Sequence, residues 1–373
     1  MPSGKNTVMN YSKTAVKTLP FLGKCLIFAV LCWNLFHLMP VSPGSLTEAE
    51  FGILAALLLA FLPVRVTSFL FLAAAELAVL YLIYDVLYGL AKLAGVREMF
   101  MTLTLDGMIV PLFCVLHLLY GVISAKRIAV TSYKITTNHE LPVGKLRILQ
   151  LSDMHPGHFQ TSLWMKRIYA IVENTKPDMI VLTGDIFDEF TQPSKFKEYC
   201  RFFADTKPVY GMWYVFGNHD AEWHWHRPGH TRDDILRSFA DAGVTILEDE
   251  CALICGGTVR IAGRRDAMEE RMTPEQLLAG TFDGLTVMLC HEPVELTACA
   301  EAGADVTFAG HTHGGQIFPL GLLMKYVMRT HEMNEGIREL LPGKFAVVSC
   351  GVGTWGYPVR TEGKSEIVIV DIE

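Results

Sequence analysis

Charge is scarce in this chain. Only 19% of its 373 residues are Asp, Glu, Lys or Arg, and they leave a net charge of −7 with no basic stripe. Nucleic acid is therefore not an expected partner, since a binder of the phosphate backbone needs clustered Lys and Arg. Paired cysteine spacings are lacking too: the nine Cys suggest neither a disulfide framework nor a zinc knuckle, and Cys251 and Cys255 have no second pair beside them. Several, such as Cys290 and Cys350, fall within apolar runs, which favours a reducing compartment. No internal repeat or low-complexity tract occurs.

Apolar residues are in excess. They make up 51% of the chain, the mean hydropathy is +0.30, and the excess lies in the first third. That is too apolar for an ordinary soluble protein of this size. Residues 21–40, 51–64, 67–90 and 107–124 are apolar runs with short polar breaks. About 20 apolar residues cross a bilayer, so four spans are expected, the second being short and closed by Pro63 and Arg65. A cleavable leader is the competing reading of the first run, but no small-residue cleavage site follows it and further apolar runs do. Lys5, Lys13 and Lys17 precede the first run and Lys24 stands at its start, whereas Val41–Glu50 holds no Lys or Arg. The positive-inside rule then puts the amino terminus in the cytoplasm, and four spans return the chain there, where Lys126 and Arg127 follow the last. Glu76 falls inside the third run, where an ionisable side chain needs a partner on a neighbouring helix or a functional role.

The remaining chain carries five places where an apolar run stops at a side chain suited to metal. Asp153-Met154-His155 follows Ile148–Leu151, Gly184-Asp185 follows Met179–Leu182, and Gly217-Asn218-His219-Asp220 follows Trp213–Phe216. His291 follows Val287–Leu289, and the last segment is Gly310-His311-Thr312-His313-Gly314-Gly315-Gln316. In an open α/β sheet, ligands gather at the carboxyl ends of the strands, so these residues are expected to converge. Two divalent ions about 3.5–4 Å apart need a shared carboxylate, for which Asp185 is suited, with neutral nitrogen and oxygen ligands around it. Without thiolates, the set admits Mn, Fe, Zn or Mg. Water held between such ions loses a proton near neutral pH and becomes a nucleophile.

The ordered motifs DxH, GDxxD, GNHD, H and GHTH resemble the calcineurin-like metallophosphoesterase superfamily, and GHTHGGQ is similar to its membrane-associated bacterial branch. The likeness covers roughly residues 145–373, including Ser349–Arg360. It implies one ion on Asp153, His155, Asp185 and His313 and a second on Asp185, Asn218, His291 and His311. It also implies that His219 assists the leaving group or transition state, oriented by Asp188. The implied fold is two mixed β-sheets sandwiched between helices. Together with the apolar runs this gives an α-helical transmembrane bundle at 1–125, a connector at 126–144 and an α/β catalytic domain at 145–373.

Two segments are candidates for substrate choice. Residues 221–232 pack Trp223, Trp225, Arg227 and Arg232 into one loop, suited either to a bilayer interface with a phosphate headgroup or to plain surface packing. Phe318–Met328 is largely apolar, able to receive acyl chains or to pack as a helix. Arg264, at a strand end, and Arg360, in the terminal stretch, offer charge to a phosphate; Arg264 has the alternative of a surface ion pair. The expected activity is hydrolysis of a phosphodiester or pyrophosphate, of a lipid or lipid-linked substrate, by a multi-pass protein of the plasma membrane with its catalytic domain in the cytoplasm. Some members of the resembled branch cleave the pyrophosphate of UDP-diacylglucosamine. A phosphatase or phosphodiesterase for soluble nucleotides or phosphoproteins, and a non-catalytic metal-stabilised membrane scaffold, are the alternatives. The topology is checked by a reporter fused after Glu373: four spans give a cytoplasmic signal, and an external one means an odd number of crossings.

Overall fold

The computed structural model describes residues 64–141, 144–157, 161–220 and 230–373, with backbone alone for 64–71 and Asp106. The chain divides into two units between Leu119 and Tyr120. The first contains α1 (Val64–Leu93), α2 (Arg97–Leu103) and most of α3 (Ile109–Ala125). Both long helices are apolar nearly all round, exposing Leu82, Val86, Leu90, Leu112, Leu116 and Leu119 among others. A helix apolar on every side belongs in lipid or in a large core. Among the described residues one helix is long and apolar enough to cross a membrane, over the 22 residues Leu72–Leu93; α3 has 17 residues. The run at 21–40, and all but the last residue of that at 51–64, lie outside the described residues. Glu76 is buried and meets Nδ1 of His117 on α3, so the acid in the third run has its partner on a neighbouring helix.

The second unit alternates strands with helices. In chain order it has β1 (Ala129–Ile135), β2 (Leu146–Leu151), α4 (Ser162–Thr175), β3 (Met179–Thr183), α5 (Pro193–Asp205), β4 (Met212–Val215), α6 (Arg232–Ala242) and β5 (Val244–Ile246). There follow β6 (Glu250–Ile254), β7 (Val259–Gly263), α7 (Pro274–Leu277), β8 (Leu285–Leu289), α8 (Leu296–Glu301) and β9 (Val306–Ala309). The last elements are α9 (Leu320–Leu323), β10 (Gly336–Leu341), β11 (Lys344–Val348) and β12 (Glu366–Ile372). Two six-stranded mixed sheets form, in the orders β1-β12-β2-β3-β4-β5 and β10-β11-β9-β8-β7-β6.

Alternation of side chains along each strand splits the core in two. Ile148, Val181, Val215, Val368 and Val370 face Val259, Ile261, Val287, Val306, Phe308 and Val347 between the sheets. Their neighbours Leu149, Leu151, Ile180, Leu182 and Tyr214 face outward onto Ile168 of α4, Tyr199 and Phe203 of α5 and Phe239 of α6. The outer face of the second sheet is covered by Leu296 and Cys299 of α8. The helices are started by ordinary means: Thr231 forms a capping box with Asp234 ahead of α6, and Gly243 ends that helix in the left-handed conformation.

Residues 126–144, expected as a connector, are a correction. Seven of them form β1, which pairs in parallel with β12 from Ala129↔Glu366 to Ile135↔Ile372. As an edge strand its burial alternates, so Thr131, Ser132 and Lys134 give it a polar look that conceals a sheet position. What matters for function is direction. β2, β3 and β4 run parallel in one sheet, and β8 and β9 in the other, so their carboxyl ends share an edge in each. Gln150 joins the two edges, donating to the Ala309 carbonyl at 2.8 Å and to Thr183 Oγ1 at 2.9 Å.

Candidate metal centre

Each candidate ligand sits in the first residues beyond a strand, where the chain must turn sharply. Asp153, His155, Asp185, His311 and His313 all have positive φ, between 40° and 69°. For residues with a Cβ this left-handed backbone is strained, about 1–3 kcal/mol each, and persists only where the surroundings over-determine it. Close approach does so here. A Cβ on Gly217 would lie 2.2 Å from Asp185 Oδ1, and one on Gly310 would lie 1.9 Å from Ser152 Oγ and 2.3 Å from Asp153 Oδ2. Both glycines are places where backbone takes the room a side chain would need.

Two His/Asp clusters result, each able to hold a metal ion: Asp153, His155 and His313, and Asp185, His291 and His311. In the first, His155 Nε2 and His313 Nε2 are 3.2 Å apart, and His313 Nε2 lies 3.5 Å from Asp153 Oδ1. In the second, Asn218 Oδ1 is 3.0 Å from His291 Nε2 and 3.1 Å from His311 Nδ1. Oδ2 of Asp185 faces one histidine of each cluster, His155 Nε2 at 3.5 Å and His291 Nε2 at 3.2 Å. His291 Nδ1 is 2.8 Å from the Thr183 carbonyl, a contact in which only N–H can serve, which leaves Nε2 for an ion. All seven residues expected as ligands thus meet in one place.

Electrostatics supply a test of whether divalent ions fit. Asp153 and Asp185 are almost completely buried. Burial alone would push their protons on and would keep the neighbouring imidazoles neutral. In His155 burial is outweighed by the carboxylates of Asp188, Asp185 and Asp153, which raise it to about 9; His291 is likewise held well above the ordinary value, chiefly by Asp185. His311 goes the other way, to about 3, through burial and the positive charge of His291. Without ions, positive charge therefore sits on one histidine of each cluster. Divalent cations fit this donor set because they supply that charge while leaving every imidazole neutral.

The first correction concerns Asp188. Expected to orient His219, it lies with Oδ2 3.6 Å from His155 Nδ1 and is fixed by Thr191 Oγ1 at 2.8 Å and Phe190 N at 3.0 Å. The carboxylate on His219 Nδ1 is that of Glu189, at 2.9 Å. His219 also donates its backbone N–H to Asp185 Oδ1 at 2.8 Å, and its ring is 5.3 Å from that of Trp355, which is 44% exposed. Glu189 and Trp355 were not singled out from the sequence, although Glu189 stands beside Asp188 and Trp355 lies in the 349–360 stretch.

The arginines are the second. Arg360 is fully buried and donates to the carbonyls of His313 at 2.9 Å and Cys350 at 2.7 Å, and also to that of Gly353. It holds the turn that carries His313 and faces no open space. Arg264 is 1% exposed, donates to the Met272 carbonyl at 2.9 Å and pairs with Glu295 at 3.0 Å. Arg232 pairs with Glu248 and lies 4.6 Å above the Phe216 ring, bracing the turn that leads from β4 to Asn218. Trp223, Trp225 and Arg227 lie outside the described residues. Asp220 braces a turn as well, accepting from the backbone N–H of Phe187 at 2.8 Å and Gly217 at 3.0 Å.

Residues 146–315 match the family model described as calcineurin-like phosphoesterase. An uncharacterized metallophosphoesterase of Aquifex aeolicus is 32% identical over 253 residues, which cover 65% of this chain and 91% of that protein. The chain belongs to the calcineurin-like metallophosphoesterases. A Helicobacter pylori metallophosphoesterase, also uncharacterized, is 31% identical over 60% of this chain and 58% of its own length. A Danio rerio protein named as a transmembrane protein with metallophosphoesterase domain is 28% identical over 61% and 55%. This chain therefore spans less than two thirds of the latter two. Metallophosphoesterases are metal-dependent, in keeping with the two clusters.

Three outcomes follow from the charges and the geometry. Because His155, raised to about 9, must lose its proton to bind an ion, as must His291, ion binding at pH 7 is expected to release about two protons per chain. Calorimetry in buffers of different ionisation enthalpy reads this, and release near zero contradicts it. The stability that protonated His155 gives the ion-free protein is fully present below about pH 6.5 and lost as pH rises through about 9, so its unfolding midpoint should fall over that window and the ion-loaded midpoint should not. Arg360→Lys should lower metal retention by elemental analysis, since one ammonium cannot serve the carbonyls that the guanidinium spans. A raised KM with full metal content would instead restore Arg360 as a substrate contact.

Proposed function

We propose that this protein is a membrane-anchored two-metal phosphoesterase that hydrolyses a phosphodiester or pyrophosphate of a lipid or lipid-linked substrate. The observation that carries the reading is Asp185, one of whose carboxylate oxygens faces a histidine from each cluster. In this reading Asp153, His155, Asp185 and His313 hold one ion, and Asp185, Asn218, His291 and His311 the other. Divalent ions there supply Lewis acidity toward a phosphoryl oxygen and a water nucleophile at neutral pH.

The chain's own part is positioning and proton transfer. His219 stands at the edge of the clusters with its side chain 12% exposed and Glu189 on Nδ1, and in this reading it gives a proton to a departing oxygen. The carboxylate fixes the orientation of the ring. Trp355 offers a flat, half-exposed wall next to that proton for the group that leaves. The membrane anchor is supported by the membrane-length helix at Leu72–Leu93 and by the name of the Danio rerio relative; the lipid substrate is proposed from that placement alone. The Trp223–Arg227 loop is assigned to the headgroup in the same reading.

His219→Ala should keep both ions and slow turnover by about 10²–10⁴-fold. Glu189→Gln should slow turnover by a smaller factor than His219→Ala, whereas Asp188→Asn, whose carboxylate meets His155, should lower metal retention by elemental analysis. The substrate class is tested by comparing a diacylated sugar nucleotide in bilayers with an aryl phosphate, both with the metal-loaded protein. Cleavage of the aryl phosphate and of soluble nucleotides, with none of the lipid pyrophosphate, overturns the lipid assignment.

A further inference from the structure

The helical segment that follows the GHTHGGQ turn is inside out. Leu320–Leu323 is α-helical and Met324–Met328 continues it as a wider turn. Along these nine residues the buried position is Gly321, while Leu320, Leu322, Leu323, Tyr326, Val327 and Met328 are between 39% and 70% exposed. Within the α-helical turn, at about 100° per residue, Leu320, Leu322 and Leu323 all lie 100° or more round from Gly321. A helix on a soluble domain turns its apolar stripe to the core. Here the stripe points away, and the domain is met by the residue without a side chain.

That contact is tight. A Cβ on Gly315 would lie 2.3 Å from Gly321 Cα, and one on Gly321 would meet the Glu362 carboxylate at 2.7 Å, so the segment sits on the domain at a position with no room for a side chain. Gly321 N donates to Glu362 Oε2 at 2.8 Å and Asn334 Nδ2 donates to the Gly321 carbonyl at 3.1 Å. The exposed apolar face is the seated conformation.

A second observation says what covers it. The final residues of the apolar helix α3 belong to the same unit, with Tyr120 and Ile123 each 58% exposed. The Gly121 carbonyl accepts from Arg360 N at 2.9 Å, and a Cβ on Gly121 would meet Val359 at 2.6 Å. The next residues of that stretch hold the inverted segment: Thr361 N and Glu362 N donate to the Gln316 carbonyl at 3.0 and 3.1 Å, and Phe318 N donates to Thr361 Oγ1 at 2.9 Å. Residues 359–362 thus connect the exposed apolar end of α3 directly to the root of the exposed apolar segment. Lys325 and Arg329, both exposed, flank the stripe in a chain whose net charge is −7. An apolar face edged by basic side chains, joined to the end of an apolar helix, matches a helix lying in a membrane interface.

We propose that Leu320–Met328 is an interfacial helix seated in the headgroup layer of a bilayer containing anionic phospholipid, with Leu320, Leu323, Tyr326 and Val327 toward the acyl chains and Lys325 and Arg329 at the phosphates. This goes beyond the hydrolytic reading and does not depend on it. The helix is a second membrane contact, distinct from the spans, placed one residue-to-residue contact from the turn that carries His311 and His313.

The test uses the full chain in lipid nanodiscs with a photoreactive benzophenone side chain in place of Val327, 70% exposed, or of Leu253, 60% exposed on β6, as the control. Neither site is packed, so both variants should keep their fold, which metal content checks. Irradiation in discs containing phosphatidylglycerol should give lipid adducts at position 327 several-fold above those at 253. Equal yields, or adducts at 327 only to a second copy of the chain, overturn the proposal. In a Lys325→Glu, Arg329→Glu background the lipid adduct at 327 should fall at low ionic strength, and an unchanged yield removes the anionic headgroup from the assignment. Because the readout is a covalent adduct and not turnover, its failure leaves the reading of the ion site standing, and loss of activity leaves this one standing.

Discussion

Buried negative charge is the constraint around which this protein is built. Asp153 and Asp185 are removed from water, and a carboxylate so placed must be matched by positive charge and filled with hydrogen bonds. His155 and His291 supply the charge when protons are all that is present, and the backbone N–H groups of His219 and His311 supply bonds. Three strand ends from one sheet and two from the other must come together for this to happen. The sandwich, with its apolar layer between the sheets, is what holds those edges in register.

Strain is the second half of the design. Left-handed backbone at five ligand positions stores energy that the interior has to repay, and the repayment is visible in side chains that touch no ion. Arg360 gathers three carbonyls around the His313 turn, Asp220 gathers the amides of two other turns, and Gln316 receives Trp355 N and donates to the Trp355 carbonyl. These residues explain why polar side chains in the 310–360 region are buried without being ligands. Their loss would loosen the geometry before it changed the chemistry.

The convergence of the seven candidate ligands was legible because each apolar strand stops abruptly just before them, and that pattern survives without any knowledge of the sheet. The orienting acid was not. Asp188 and Glu189 are adjacent, point to different places, and a one-residue difference within a turn leaves no periodic trace, so only the coordinates separate the carboxylate on His155 from that on His219. Arg264 and Arg360 misled for a related reason: a guanidinium suited to phosphate is equally suited to backbone carbonyls, and sequence does not reveal which is nearer. β1 was hidden by its edge position, where alternate residues are polar, and the role of Gly321 by the absence of any side chain to read.

The position of β12 between β1 and β2 has a consequence for how the molecule comes into being. Residues 366–372 are the partner of β1 along its whole length and the antiparallel partner of β2, across a separation of more than two hundred residues. During synthesis β1 therefore waits as an unpaired edge while nearly the whole chain is made, and the stretch 349–360 that anchors the His313 turn arrives only just before the strand that closes the sheet. Such long-range pairing is slow and leaves strand edges open to wrong partners. Ion binding to a finished site must then be a late event, since the turn that carries His313 is not braced until the stretch just before the last strand has been made.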